Sequence, residues 1–100
     1  MSTLDTLYQR AVDEEVATLR ALPPEAIRDL APSGQKTVTV DARPITISWW
    51  KNEVPPDTCH VVCSAERRAF FFFQKVYANG VKLQDGQVAY LSGEELAGYY

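Results

Sequence analysis

A chain of 100 residues with 46% hydrophobic and 23% charged residues is long enough to bury one core and too apolar to remain disordered. Its net charge of -3, with Arg67-Arg68 as the one adjacent basic pair, excludes the clustered positive charge that nucleic-acid binding requires. No stretch approaches the ~20 apolar residues that cross a bilayer, and the N-terminal residues lack the apolar run of a signal peptide. We therefore expect a cytoplasmic protein with reduced thiols and with neither a nucleic-acid nor a membrane partner.

The first third of the chain has helical periodicity. Between residues 3 and 22, apolar residues recur every three or four positions, which predicts an amphipathic helix. Pro23 ends this helix, and Pro24 can begin a second, short helix over PEAIRDLA, because proline is tolerated at the first helical position. Ile27 and Leu30 are predicted to face inward.

Beyond the break APSGQ, the period of the apolar residues changes from 3.6 to 2, which indicates antiparallel strands. The predicted strands cover residues 36–40, 44–50, 58–64, 69–77, 81–83 and 87–91. DARP, Asn79-Gly80 and Asp85-Gly86 predict hairpin turns, the last two because these residue types tolerate positive φ, and AERR predicts a connection. Ser92 with Glu95 three residues later is a capping box, which predicts a final short helix.

Two helices followed by hairpin-connected strands predict one α+β domain. The two N-terminal helices are expected to pack on one face of an antiparallel meander of five to six strands, with a short C-terminal helix after it. Residues 1–31 form the helical part, residues 36–91 the sheet and residues 92–100 the last helix.

The segment CHVVC contains both cysteines and the only histidine, which suggests a metal or redox site. On a strand rising ~3.3 Å per residue, however, Cys59 and Cys63 lie about 13 Å apart on one face while His60 points to the other. They cannot share one ion, and they exceed the ~7 Å that a disulfide spans between Cα atoms. We therefore expect no metal, no cofactor and no catalytic residue here, and two buried, unreactive cysteines.

The chain also lacks a nucleophile elbow, a glycine-rich phosphate loop and an HExxH motif. The absence of these motifs favours a protein that is not an enzyme, although catalysis by carboxylates alone is still an open alternative.

The run Phe70 to Phe73 fills both faces of a strand, so one pair of phenylalanines must point away from the helices. Neighbouring strands are predicted to place Trp50, His60 and several hydroxyl side chains on this second face. Aromatic anchors with a polar rim are typical of protein interfaces. The predicted anchors are Trp50, His60, Phe70 and Phe72, with Phe71 and Phe73 replacing the last two if a bulge shifts the register.

The leading hypothesis is thus a small non-enzymatic protein-interaction module, such as an adaptor, an inhibitor of immunity type or an accessory protein. It would bind a protein partner or a second copy of itself through the second sheet face. The structural alternative is that the sheet curls, or that the C-terminal helix and Tyr99-Tyr100 fold back over this face.

Glu15 supports a different function. It falls about 20° from Leu4 on the helical wheel, inside the apolar stripe, and a buried carboxylate needs a partner, solvent or a ligand. Pairing with a lysine or arginine, or a place at the edge of the stripe, is the structural explanation. The alternative function is a small-molecule-binding or catalytic domain with a pocket between helices and sheet, where Glu15 is the polar contact.

Overall fold

The computed structural model describes residues 3–54, 58–70 and 73–99, with residues 3, 68–70 and 73 described by their backbone only. The elements in chain order are α1 (Thr3–Arg20), α2 (Pro24–Arg28), β1 (Ser33–Val40), β2 (Arg43–Val54), β3 (Thr58–Phe70), β4 (Phe73–Gln84), β5 (Gln87–Tyr90) and α3 (Gly93–Ala97). The α+β class and the antiparallel sheet are confirmed. Among these residues no helix combines the length and the apolar character needed to cross a membrane.

The five strands of the described residues form one sheet in the order β1-β2-β3-β4-β5, each antiparallel to its neighbour. The β1–β2 turn lies at Asp41 and Ala42, whose φ values of 49° and 64° suit a two-residue hairpin turn. Asp85 and Gly86, with φ values of 54° and 75°, turn the chain between β4 and β5. The hairpins predicted at DARP and Asp85-Gly86 are confirmed.

The predicted strands between residues 65 and 83 are partly wrong. β3 continues through AERR, which was expected to be a connection, as far as Phe70. Phe73 begins β4, so the expected strand over residues 69–77 is divided between two strands. Cross-strand pairing between β3 and β4, for example Ala65 with Tyr77, keeps both segments extended.

Asn79-Gly80 lies inside β4 and forms no hairpin, so the predicted fifth strand is the second half of β4. The glycine is needed for space, because a Cβ on Gly80 would lie 2.6 Å from both the Cδ1 of Leu91 and the carbonyl oxygen of Val61. Asn79 accepts a hydrogen bond from the Gly80 amide through its side-chain oxygen at 2.8 Å. Gly80 is therefore explained by close packing, and β4 continues through the dipeptide without a turn.

The core lies between α1, α2 and one face of the sheet. The largest fully buried side chains on this side of the sheet are Ile27, Ile45, Ile47, Val12, Val16, Val61, Val81 and Cys63. Each buried Val or Ile contributes about 1.5–3 kcal/mol. The predicted inward position of Ile27 in α2 is confirmed by its exposure of 0%.

Lys51 closes the C-terminal end of α2 against β2. Its ammonium group donates to the carbonyl oxygens of Arg28 at 2.8 Å and of Leu30 at 2.7 Å. A cation at the last carbonyls of a helix also interacts favourably with the helix dipole. This contact fixes Leu30, which follows α2, above the sheet.

Candidate functional site

The CHVVC segment lies on β3, and the strand divides its three polar side chains between the two faces of the sheet. Cys63 is fully buried on the helix side, where its register partner is Trp49. His60 points to the opposite face and is 9% exposed. Both cysteines are free, and the described residues contain no group of three metal-binding side chains.

Burial governs the chemistry of both thiols. It raises the pKa of Cys63 to about 12, with a smaller contribution from the negative charge of Glu15. Burial also raises the pKa of Cys59, which is partly exposed. The thiolate is the nucleophilic form, so Cys63 stays protonated and unreactive near neutral pH.

A cavity of about 180 Å³ lies between the helices and the sheet, beside Cys63. Its lining side chains come from five successive parts of the chain: Glu15, Leu19, Leu30, Lys36, Trp49 and Cys63. Glu15 and Leu19 share a face of α1 because they are four residues apart. The alternative function predicted from the sequence requires a ligand pocket between the helices and the sheet, with Glu15 as its polar contact.

Trp49 forms one wall of the cavity, and its indole ring rests on Gly34. The two residues are register partners in β2 and β1. A Cβ on Gly34 would lie 2.3 Å from Cζ2 and 2.5 Å from Cη2 of the ring, so only glycine leaves room for it. Gly34 therefore sets the position of the indole.

The Nε1 atom of Trp49 is buried and has no hydrogen-bond partner among the described residues. An unsatisfied buried donor costs roughly 1–3 kcal/mol, and buried indole N–H groups usually find an acceptor.

Glu15 pairs with Lys36 at the same cavity. The Glu15 carboxylate and the Lys36 ammonium are 3.0 Å apart, and their side chains are 17% and 46% exposed. The pairing that the sequence left open for Glu15 is therefore present, and it neutralises the polar side of the cavity. Lys36, the more exposed partner, can move away without crossing the core.

The second sheet face is covered by the C-terminal segment. The Tyr99 hydroxyl is hydrogen bonded to Nδ1 of His60 at 2.8 Å, and the Tyr99 ring meets Trp50 edge-on at 6.1 Å between centroids. Val62 beneath them is fully buried. The structure therefore agrees with the alternative in which the C-terminus folds back, and it brings Trp50 and His60 together under Tyr99.

The other predicted anchors cannot be placed in this way. Phe71 and Phe72 lie outside the described residues, as do the side chains of Phe70 and Phe73. Val76 on the same face of the sheet is 45% exposed. The aromatic surface expected from Trp50, His60, Phe70 and Phe72 stays a prediction.

Glu95 holds α3 to this face. Its carboxylate accepts from the Ser92 amide at 2.9 Å and from the Lys82 ammonium at 3.1 Å, and it lies 3.8 Å from Nε2 of His60. The predicted capping box of Ser92 and Glu95 is confirmed. The Ser92 amide first, and Lys82 next, lower the pKa of Glu95 to about 2.

Sequence reasoning missed a polar cluster at the start of α1. Asp5 accepts hydrogen bonds from the Tyr77 hydroxyl, from Arg67 at 2.9 Å and from Lys75 at 3.0 Å. These donors, Tyr77 foremost, hold the pKa of Asp5 well below its usual range. These three partners lie 62–72 residues from Asp5 in sequence, so no local pattern could indicate the cluster.

An open trough of about 660 Å³ runs beside this cluster along the outer side of α1. Its charged side chains already have partners: Asp5 as above, and Arg10 with Glu14 at 3.2 Å. Asp13 accepts from Gln9 and Asn79, both at 2.9 Å. The trough is larger than the inner cavity, but its satisfied polar groups make it the weaker candidate.

Comparisons of the chain with protein-family models, with curated proteins and with solved structures gave no match.

Proposed function

We propose that this chain is a small-molecule-binding domain whose ligand occupies the cavity between the helices and the sheet. The observation that carries the proposal is the cavity of about 180 Å³ itself, which combines apolar walls with a closed Glu15–Lys36 ion pair. Ligand pockets are typically apolar concavities with a few fixed polar groups. Here Leu19 and Leu30 supply apolar walls, and the Glu15–Lys36 pair supplies the polar side.

The size of the cavity limits the ligand. An apolar cavity of ~150 Å³ in another protein accommodates benzene, so 180 Å³ suits a molecule of roughly six to ten non-hydrogen atoms. At about 0.5–1 kcal/mol per atom, below the ceiling for small ligands, eight atoms give about 4–8 kcal/mol. We expect dissociation constants from roughly micromolar to millimolar.

Binding is better supported than catalysis at this site. Cys63 is protonated near neutral pH because burial raises its pKa to about 12, so it is a poor nucleophile. Glu15 already has its charge balanced by Lys36 at 3.0 Å. We therefore assign the cavity a recognition role.

Xenon tests whether the cavity accepts a guest at all. Proton–nitrogen spectra of the protein under xenon pressure should show saturable shifts at residues around the cavity, with Leu19 and Cys63 as reporters. The cavity-filling variants Leu30→Phe and Cys63→Leu should abolish these shifts. Trough-side residue Thr6 provides the matched control and should not respond. Shifts that persist in both folded filling variants, or none in the native protein, would count against the proposal.

The second candidate function is the protein-interaction module predicted from the sequence. Its support is the weak attachment of α3, since none of the five residues of α3, all of them described, is buried. The described polar contacts between the segment and the sheet are those of Tyr99 and of Glu95, whose pair with Lys82 is partly buried. A second copy of the chain could replace this cover and pack on Trp50.

The variant Tyr99→Ala tests the second candidate. Light scattering coupled to size exclusion should then show a higher dimer fraction than in the native protein, because the loss of the Tyr99 ring uncovers Trp50. The double variant Tyr99→Ala, Trp50→Ala should return to a folded monomer. If Tyr99→Ala leaves the oligomeric state unchanged over a wide range of concentration, the second candidate is wrong.

A further inference from the structure

We propose that the ligand of the helix–sheet cavity is a small primary ammonium ion with an apolar body, which replaces the Lys36 side chain beside the Glu15 carboxylate. The inference rests on the proposed binding function and assigns its ligand class. Three observations support it: the chemistry of the Lys36 side chain at the cavity, the unequal burial of the two charges, and the effect of these charges on the cavity floor.

The Lys36 side chain is itself an aliphatic ammonium ion at this site. It is a four-carbon chain that ends in an ammonium group, and its Nζ lies 3.0 Å from Oε2 of Glu15. Its register partner is Ile47, which is fully buried on the helix side of the sheet, so Lys36 lies on the same face. A free alkylammonium ion can therefore offer Glu15 the contact that Lys36 now makes.

The unequal burial of the pair decides the sign of the ligand. The Glu15 side chain is 17% exposed, whereas that of Lys36 is 46% exposed. Of the six residues that line the cavity, all of them described, Lys36 alone is exposed. A cation that displaces Lys36 returns its ammonium group to water and keeps Glu15 paired. An anion would draw Lys36 away and leave the charge of the more buried Glu15 uncompensated, which is costly.

The cavity floor responds more strongly to Glu15 than to Lys36. Burial is the main cause that raises the pKa of the Cys63 thiol to about 12, the charge of Glu15 raises it further, and the charge of Lys36 lowers it by less. A nearby negative charge disfavours the thiolate, so the pair as a whole gives a negative potential at Cys63. An ammonium ion in the cavity is stabilised by this potential, whereas a neutral molecule is not.

The remaining walls fit an apolar body. Leu19 is 7% exposed and Leu30 is partly buried, and both line the cavity. Cys63 also lines it, as a neutral thiol that behaves as a small hydrophobe. Beyond the ammonium group, extra polar atoms on the ligand would lose their hydration without finding partners on these walls.

Three probes built on one six-membered ring separate charge from shape: cyclohexylammonium, cyclohexanol and cyclohexanecarboxylate. Cyclohexanol has nearly the shape of cyclohexylammonium without its charge, and near neutral pH the amine is protonated while the acid is ionised. The readout is the saturable shift of the Leu19 and Cys63 amide resonances in proton–nitrogen spectra. The Thr6 resonance reports any binding of the cation at the acidic trough instead.

In the native protein, cyclohexylammonium should bind about two- to fivefold more tightly than cyclohexanol, as a partly exposed ion pair provides, and cyclohexanecarboxylate should bind most weakly. Lys36→Met removes the internal competitor and should raise the preference for the ammonium ion over the alcohol to about ten- to a hundredfold, as a hydrogen bond to a charged group provides. In Glu15→Gln, which keeps the shape of the side chain, the two dissociation constants should become about equal. The comparison in the native protein needs no variant, so it stands even if a variant fails to fold.

The outcomes separate the ligand class from the binding function. Binding of cyclohexanol as tight as that of cyclohexylammonium, or shifts by the ammonium ion at Thr6 alone, would overturn the ligand class while leaving the binding function in place. A folded Lys36→Met protein without an increased preference for the ammonium ion would do the same. If xenon shifts Leu19 and Cys63 but no probe does, the ligand class is wrong. If no probe binds and xenon produces no shift, both proposals fail together.

Discussion

Replacing Gly34 by alanine should move the indole of Trp49 and close the candidate site. A Cβ at residue 34 would lie 2.3 Å from Cζ2 and 2.9 Å from Cε2 of that ring. Unstrained carbon atoms stay about 3.5–4.0 Å apart, so the ring must withdraw by at least ~1.2 Å. The adjoining cavity of about 180 Å³ is the free space into which it can move.

The expected loss of stability is moderate. Overpacking a core costs about 1–3 kcal/mol, whereas glycine-to-alanine replacement gains about 0.4–1 kcal/mol by restricting the unfolded chain. We expect a net loss of about 1–2 kcal/mol. For a chain of 100 residues this corresponds to a fall in Tm of roughly 4–16 °C.

Thermal unfolding followed by circular dichroism measures this loss, and the Trp49 indole resonance reports the displacement of the ring. Gly93→Ala is the matched control, because nothing lies within 4 Å of a Cβ at that position. The control should be neutral or slightly stabilising. A Gly34→Ala protein as stable as the native one, with an unmoved Trp49 resonance and unchanged shifts under xenon, would refute the account of the site.

Three further predictions concern the clusters around the fold. Asp5→Asn should lower the urea midpoint near neutral pH, because the depressed pKa of Asp5 stabilises the folded state above the usual carboxyl pKa of ~3.9. That stability is lost as the pH falls toward the folded-state pKa, so the difference in urea midpoint between Asp5→Asn and the native protein should shrink below about pH 4. The control variant Asp85→Asn, at an exposed turn, should have nearly the urea midpoint of the native protein. Tyr99→Phe should accelerate amide hydrogen exchange in residues 92–99 about ten- to thirtyfold, since the hydrogen bonds of the hydroxyl with His60 and Asn52 are both removed. Unchanged exchange would show that the hydroxyl does not hold the segment. Iodoacetamide at about pH 8 should alkylate the partly exposed Cys59 before Cys63, whose burial raises its pKa to about 12, and equal rates would contradict this ranking.

Local patterns predicted those elements in which periodicity and tertiary structure agree. Ser92 and Glu95 form the capping box expected from their spacing, and the Asp85-Gly86 turn has the positive φ values that the residue types suggest. Asn79-Gly80 has the same residue pattern of a hairpin turn, but its glycine is present for a different reason. Its glycine is required by the approach of Leu91, which a pattern over neighbouring residues cannot contain.

The candidate site was predictable in part. Glu15 interrupted the apolar stripe of α1, which indicated a polar contact between the helices and the sheet, and the structure places it there beside Lys36. The unpaired indole of Trp49 had no sequence signal, because whether a buried N–H finds an acceptor depends on every element around it. The support of the indole by Gly34 likewise depends on the register of β1 against β2.

CHVVC connects the two candidate functions through one strand. Cys63 faces the cavity and His60 faces Tyr99. Their Cα atoms are three steps along β3 from each other, which corresponds to about 10 Å. Side chains on opposite faces of a strand share neither partners nor packing, and effects of distant sites usually add. β3 is paired on both sides, so its register is fixed by β2 and β4 and resists sliding. Occupation of the cavity should therefore leave the C-terminal cover in place, which makes ligand binding and self-association separable properties of the same sheet.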